Sequence, residues 1–211
     1  VTASKSAVQY GYHKGNLRDR LLETAQKLLQ NEELSALSLR RVARDVGVAP
    51  SAIYNHFKSL DELLAAIAAD GYRQIEALER VAYDTIADPE ACLRHLTREY
   101  LHFAASNPSL YRLMFSRAVL GYRALPEVDE AGDTSFRVSV EWWYGSGSYD
   151  PSKSAIHYPY ALAVWSLCHG AAMQMLDGMV TVGEAPEISV DALADALMNV
   201  FLRGALVGVP K

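Results

Sequence analysis

The chain has 211 residues, half of them hydrophobic, with 20 Lys and Arg against 25 Asp and Glu for a formal net charge of −5. That is length for one or two domains with a sizeable core, and the apolar content excludes a disordered or low-complexity chain. Only two cysteines, Cys92 and Cys168, occur, and the longest low-charge run, near Tyr158 to Gly170, falls short of the ~20 residues of a membrane span. Both thiols are expected to be buried in helical patterns, not paired in a disulfide framework. The polar start carries no secretory signal, so a cytoplasmic, non-membrane protein is expected.

The overall acidity hides an asymmetry. Residues 1–60 hold nine Lys and Arg against five Asp and Glu, which leaves eleven against twenty for the rest. A basic head on an acidic body keeps nucleic acid in play, because DNA affinity depends on the local potential of the binding face.

Residues 1 to about 14 show no sustained apolar period and are expected to form a mobile, weakly basic arm. Asn16 can cap a first helix, in which Leu17, Leu21, Leu22, Ala25, Leu28 and Leu29 form a stripe ending near Asn31. A short polar connection follows, from Glu32 to Leu37. Ser38 then caps a second helix with Leu39, Val42, Ala43 and Val46 on its buried face. Gly47 suits a left-handed helix end, and Pro50 suits the first position of a third helix, where its missing N–H costs nothing.

In that third helix Ile53 and Phe57, four apart, face inward. Ser51, Ala52, Asn55 and His56 are left on the outer side, with Tyr54 at its margin and Lys58 just beyond. Small and polar groups of this kind fit a major groove: Ser can donate or accept at a base edge, and Ala can pack on a thymine methyl. Tyr54, Lys58, Arg40 and Arg41 carry the hydroxyl or positive charge that phosphate contacts use, and Ser38 lies beside them. The expected DNA-binding set is therefore Ser38, Arg40, Arg41, Ser51, Ala52, Tyr54, Asn55, His56 and Lys58.

Ser59-Leu60-Asp61-Glu62 has the form of a capping box, with Glu62 expected to reach back to the Ser59 backbone. A long helix, with Tyr72, Ile75, Leu78 and Ala82 in its stripe, should run from it to about Ile86. Asp88-Pro89 and Asn107-Pro108 start two more helices, the first reaching Ser106. Between Gly121 and Ser148 one helix is expected from about Thr134 to Tyr144, and Gly145 to Ser148 reads as a flexible joint. Pro159 predicts a kink or a fresh start, after which Ala161 to Met179 is the most apolar helix. Thr181 to Glu187 reads as a loop before Ser189 caps a last helix to about Arg203. No fixed repeat and no strand pattern is present. The expected fold class is all-α with about nine helices, a helix-turn-helix domain over residues 1–60 and a larger helical domain over residues 61–211.

The run Ser38, Arg40, Val42-Ala43, Gly47-Val48, Ile53-Tyr54, His56-Phe57-Lys58 and Asp61-Glu62-Leu63 resembles the N-terminal domain of the TetR (tetracycline-repressor) family of transcription regulators. Residues 11 to 18, Gly-Tyr-His-Lys-Gly-Asn-Leu-Arg, look like a lead-in common in that family. The stretch Asn107-Pro108 through Phe115 is similar to the body of one subgroup, which also carries Trp-x-x-x-His-Gly, here Trp165, His169 and Gly170. The resemblance implies a homodimer that binds palindromic operator DNA, acts as a repressor, and is released by a small-molecule effector. It implies no enzyme activity, cofactor or metal.

The body histidines and Cys168 admit other chemistry. Adjacent helical residues point about 100° apart, so Cys168 and His169 do not share a target atom. His95 and His102 share a face but lack a third ligand at metal spacing. The aromatic and methionine set Tyr100, Phe103, Tyr111, Met114, Phe115, Trp142, Trp143, Tyr160, Trp165, Met173 and Met175, with His169 beside it, either fills a core or lines a cavity for an apolar or aromatic effector. The last two helices serve either as a four-helix dimer interface or as intrachain core. Two functions compete at this level: a ligand-responsive DNA-binding dimer, and a helical enzyme or small-molecule-binding protein with no DNA role.

Overall fold

The computed structural model describes residues 17–31, 34–116, 125–182 and 189–205, and every regular element among them is helical. The chain divides into two compact units, residues 1–63 and 64–211. The arm expected over residues 1 to 14, the Asn16 cap and most of the loop from Thr181 to Glu187 lie outside the described residues.

In the first unit, α1 (Leu17–Asn31) turns Leu21, Ala25 and Leu29 inward at intervals of four. The polar connection contains one 3-10 turn, Leu34–Ala36. Ser38 accepts a hydrogen bond from the Arg41 N–H at 3.3 Å and so starts α2 (Leu39–Val46), which packs on α1. At its end Gly47 has φ +82°, the Gly47 N–H donates to the Arg44 carbonyl at 3.0 Å, and the Val48 N–H reaches Ala43 at 2.9 Å. This double closure satisfies carbonyls that the helix end would otherwise leave open. A Cβ at Gly47 would meet nothing within 4 Å, so another residue there meets backbone strain alone.

The third helix is shorter than its sequence pattern predicts. α3 covers only Pro50–Ile53. Beyond it the Asn55 N–H bonds Ala52 and the His56 N–H bonds Ile53, i to i−3 contacts that tighten the coil where two weak helix formers follow each other. Ile53 and Phe57 still face the core, at 0% and 1% exposure.

α4 (Leu60–Thr85) starts as the capping box predicts, with the Ser59 hydroxyl accepting from the Glu62 N–H at 3.2 Å. The return arm differs: the Glu62 carboxylate accepts from the Lys58 N–H at 2.5 Å, one residue earlier than expected. That extends the cap to the end of the preceding turn.

Within the second unit, α5 (Pro89–Ser106), α6 (Pro108–Met114), α7 (Pro126–Tyr144) and α8 (Pro159–Leu176) all begin on proline, while α9 (Val190–Ala205) begins behind Ser189. Proline fits there because the first N–H of a helix has no internal partner. α5 packs against α6, α8 and α9, and α8 packs against α7. Gly71 of α4 admits α6 closely: a Cβ there would lie 2.5 Å from the Met114 sulfur. The Tyr72 hydroxyl donates to the Met114 carbonyl at 2.9 Å and closes the end of α6.

Two boundaries correct the sequence reading. α7 starts at Pro126, not near Thr134; Glu127 and Asp129 in its first turn favour that start, and Gly132 is carried within the helix. α8 starts afresh at Pro159 and ends at Leu176, short of Met179, because Gly178 at φ +72° lets Met179 N–H reach back to Gln174. The segment read as a joint is a hydrogen-bonded turn in which the Gly147 N–H reaches Glu141 Oε1 at 3.2 Å. No helix among the described residues is long and apolar enough to cross a membrane.

Candidate functional site

The outer side of the helix-turn-helix presents Ser51, Asn55 and Lys58 as exposed residues, Tyr54 at 44% exposure, and Ala52 and His56 half-buried. Phe57 in the core anchors this turn from below, and the Arg18 guanidinium lies 5.2 Å over its ring. The Lys58 ammonium donates to the Tyr54 carbonyl at 3.1 Å, which holds a cation beside the exposed turn. Arg40 is exposed, while Arg41 and Arg44 approach Asp45 at 3.6 and 3.3 Å. Arg44 is exposed, and an ion pair of that type contributes little and can be exchanged for a phosphate, whereas Arg41 is half-buried. The Ser38 oxygen is engaged as the α2 cap, and its hydroxyl proton remains available to donate.

The second unit holds a partly open cavity of about 320 Å³, with walls from α4, α5, α7, α8, Phe115 and residues 149–155. Its aromatic lining includes Tyr72, Tyr100, Phe115, Phe136, Tyr149 and Trp165; the Phe115 and Phe136 ring centroids each lie 6.4 Å from Trp165. Its polar lining includes Glu79, Asp129, Asp133, Ser135, Ser139 and Lys153. A smaller pocket of about 50 Å³ adjoins it, sharing Ile75, Glu79, Tyr100, Ser139 and Trp165. The size and the mixture of aromatic walls with several polar groups suit a small-molecule site.

Glu79 is the distinctive polar group. Its Oε2 is sealed from solvent and has no hydrogen-bond partner. Burial pushes its carboxyl up to about 8, with Glu76 adding to the shift and Arg80 opposing it. Near neutral pH Glu79 is therefore mostly the protonated acid.

Behind the aromatic wall runs a hydrogen-bonded chain. Tyr100 and Tyr111 hydroxyls are 2.9 Å apart, and the Tyr111 hydroxyl is 2.8 Å from His169 Nδ1. Burial lowers the His169 pKa and so favours the neutral ring, and the Tyr111 hydroxyl is the shared partner that links Tyr100 to His169 Nδ1. Tyr111→Phe removes the middle hydroxyl and leaves two partly buried polar groups short of a partner. It is expected to cost about 1–3 kcal/mol, read as a lower urea midpoint at unchanged slope. Cys168, whose thiol burial pushes up to about 11, contacts Thr97 Oγ1 at 3.8 Å and is poorly suited to nucleophilic chemistry. Among the described residues no group of three His, Cys, Asp or Glu can hold a metal ion.

Of the body residues singled out in the sequence, Tyr100, Phe115 and Trp165 line the larger cavity and Trp143 the smaller pocket. Tyr111, Met114 and Phe103 are core, and His169 stands behind the wall, stacked on Trp165 at 5.7 Å. Trp142 stacks on Tyr83, Tyr160 stacks on Trp143, and Met173 is half-buried on α8. The cavity-lining residues that the aromatic set omits include Glu79, Phe136 and Tyr149. Glu79 falls in line with Tyr72, Ile75 and Ala82 at three- and four-residue steps, a periodicity that marks it as inward-facing.

Comparison with known proteins fits this arrangement. The family model described as "Tetracyclin repressor-like, C-terminal domain" matches residues 93–199, and "Bacterial regulatory proteins, tetR family" matches residues 21–67. The first match alone takes in half the chain, and the chain belongs to the TetR family of bacterial regulatory proteins, which are not enzymes. HTH-type transcriptional regulators of Mycobacterium tuberculosis and Mycobacterium bovis are each 31% identical to it over 110 residues, 51% of this chain and 47% of theirs. The chain thus spans about half the length of the curated relatives it matches. A solved structure of a protein of unknown function from Rhodococcus sp. RHA1 is 30% identical, with a TM-score of 0.70 over 92% of this chain and 97% of that one. A TetR transcriptional regulator from the same organism, at 18% identity and a TM-score of 0.58 over 93% and 100%, shares the fold.

Proposed function

We propose that the protein is a ligand-responsive transcriptional repressor that binds palindromic operator DNA as a homodimer and is released when a small apolar or aromatic effector enters the cavity. The observation that carries this reading is the pairing, in one TetR-family chain, of an exposed helix-turn-helix face with an aromatic cavity in the other unit. Ser51 and Ala52 read base edges, and Arg40, Tyr54 and Lys58 hold phosphates, with Ser38, Arg41, Asn55 and His56 completing the face. The alternative of an incidental match at the head is disfavoured by the C-terminal family match over residues 93–199.

A two-fold dimer is supported by the apolar outer face of α8 and α9. Val200 is 76% exposed, and grooves beside it are lined by Ala163, Leu167, Leu197 and Phe201. Doubling the head on a palindrome supplies the specificity that two or three base-reading side chains lack. Val200→Glu places a charge on this face without touching the core. It is expected to convert a dimer to monomers in light scattering at micromolar concentration and to weaken operator binding with it.

The Trp165, His169 and Gly170 motif supports placement in the subgroup that shares it, since Trp165 forms cavity wall and His169 anchors the chain behind it. α4 supports a route for the response: its Tyr72, Ile75 and Glu79 line the cavity, and its first turn begins directly after Lys58. A ligand changes DNA affinity only by binding the two states differently, and movement of α4 satisfies that requirement. The reading also places the protein in the cytoplasm without a membrane partner. A gel shift with the DNA upstream of the protein's own gene tests it: a shift that a scrambled duplex of equal length does not produce is expected, and equal shifts refute it.

A further inference from the structure

We propose that the cavity selects a lipophilic organic cation, held by the Glu79 carboxylate within the Phe115, Phe136 and Trp165 rings. The inference rests on the reading of this cavity as the effector site and adds the chemical class of the ligand.

Glu79 lines both pockets, and its sealed Oε2 has no hydrogen-bond partner, so the folded protein leaves a buried acceptor unmatched beside the aromatic walls. Buried polar groups are almost always paired, and an unpaired one on a residue that lines a cavity marks where a ligand group belongs. The rest of the lining sets its sign. Asp129 and Asp133 stand with Glu79 against a single Lys153, which lies 3.7 Å from Asp150. Asp133 accepts from the Tyr149 hydroxyl, which fixes that side of the wall. Asp129 and Asp133 outnumber the one ammonium and disfavour an anionic ligand, and Glu79 adds to them only when it is ionised. Ring faces attract a quaternary or tertiary ammonium, most strongly where water is excluded, and Phe115, Phe136 and Trp165 supply them.

The protonation state of Glu79 adds a signature. The groups around it are Glu76, Arg80 and Tyr83 on α4, Glu99 and Tyr100 on α5, Asp129 and Asp133 on α7, Cys168 on α8 and Lys153 beyond α7. With the carboxyl raised to about 8, a cation must displace its proton. Binding therefore tightens as pH rises through that value, the reverse of what a ligand that accepts a hydrogen bond from the acid would show.

Calorimetric titration of the full chain with phenyltrimethylammonium and with its uncharged carbon analogue, tert-butylbenzene, separates charge from shape. The cation is expected to bind at least about tenfold more tightly. Because its own charge is fixed, its affinity should rise roughly 25-fold between pH 6.5 and 8.5, as the carboxylate fraction of a group titrating near 8 does. Glu79→Gln keeps the shape of the neutral acid, so the fold should persist; it should remove the cation preference and the pH dependence while leaving tert-butylbenzene binding unchanged. Equal affinity for the two compounds in both proteins overturns cation selection and leaves the cavity as a ligand site. Cation binding as described without any change in DNA affinity overturns the effector reading instead. Failure of both compounds to bind overturns both.

Discussion

Phe57→Ala is expected to unfold the residue 1–63 unit and abolish DNA binding while ligand uptake by the cavity survives. Phe57 is 1% exposed and closes the helix-turn-helix from below, beside Ile53 and under the Arg18 guanidinium. Truncating a fully buried phenylalanine costs about 3–5 kcal/mol through lost transfer energy and the cavity left behind. A unit of this size rarely has more than ~3–5 kcal/mol in reserve. Calorimetry should show an early transition lost or shifted far down, and fluorescence anisotropy should show no operator binding. Retained DNA binding would mean that the turn is held by something other than this core.

Gly132→Trp is expected to leave DNA binding intact and remove the response to effector. Gly132 lies within α7 and lines the cavity, and a Cβ there meets only the Tyr72 ring at 3.9 Å, an ordinary contact. Replacing a mid-helix glycine does not weaken the helix, since glycine is itself the poor helix former. The indole takes up space that the effector needs. Binding into an overpacked site costs about 1–3 kcal/mol, which raises the effector concentration required for release by roughly 5- to 150-fold. A variant released at the wild-type concentration would place the effector elsewhere.

The head was legible in the sequence because its signals are local. Ser38 caps, Gly47 ends and Pro50 restarts a helix within a few residues of one another, and each choice follows from backbone geometry that needs no distant partner. The capping box at Ser59 was equally readable, although which N–H the Glu62 carboxylate takes depends on the fold of the preceding turn. The start of α7 was missed because Pro126 and Gly132 look like punctuation, whereas proline at a first position followed by Glu127 and Asp129 is a start signal.

The cavity was much less legible. Phe115 and Tyr111 are four apart on or beside α6 and carry the same helical signal, yet one lines the cavity and the other is sealed core. That difference is set by where α4, α5, α7 and α8 meet, which periodicity does not encode. Glu79 was hidden for a related reason: between Glu76 and Arg80 it reads as part of a solvated charged face. Only its three-residue step from Ala82 and four-residue step from Ile75 betray an inward direction.

The decisive measurement uses a fluorescent duplex from the DNA upstream of the protein's own gene, titrated with protein before and after the cavity is saturated by a compound found in a thermal-shift screen. The expected result is binding at least ~10³-fold tighter than to a scrambled duplex, falling steeply with salt, and lost when the cavity is filled. Equal affinity for the two duplexes, or unchanged affinity with the cavity occupied, would contradict a ligand-responsive DNA-binding regulator.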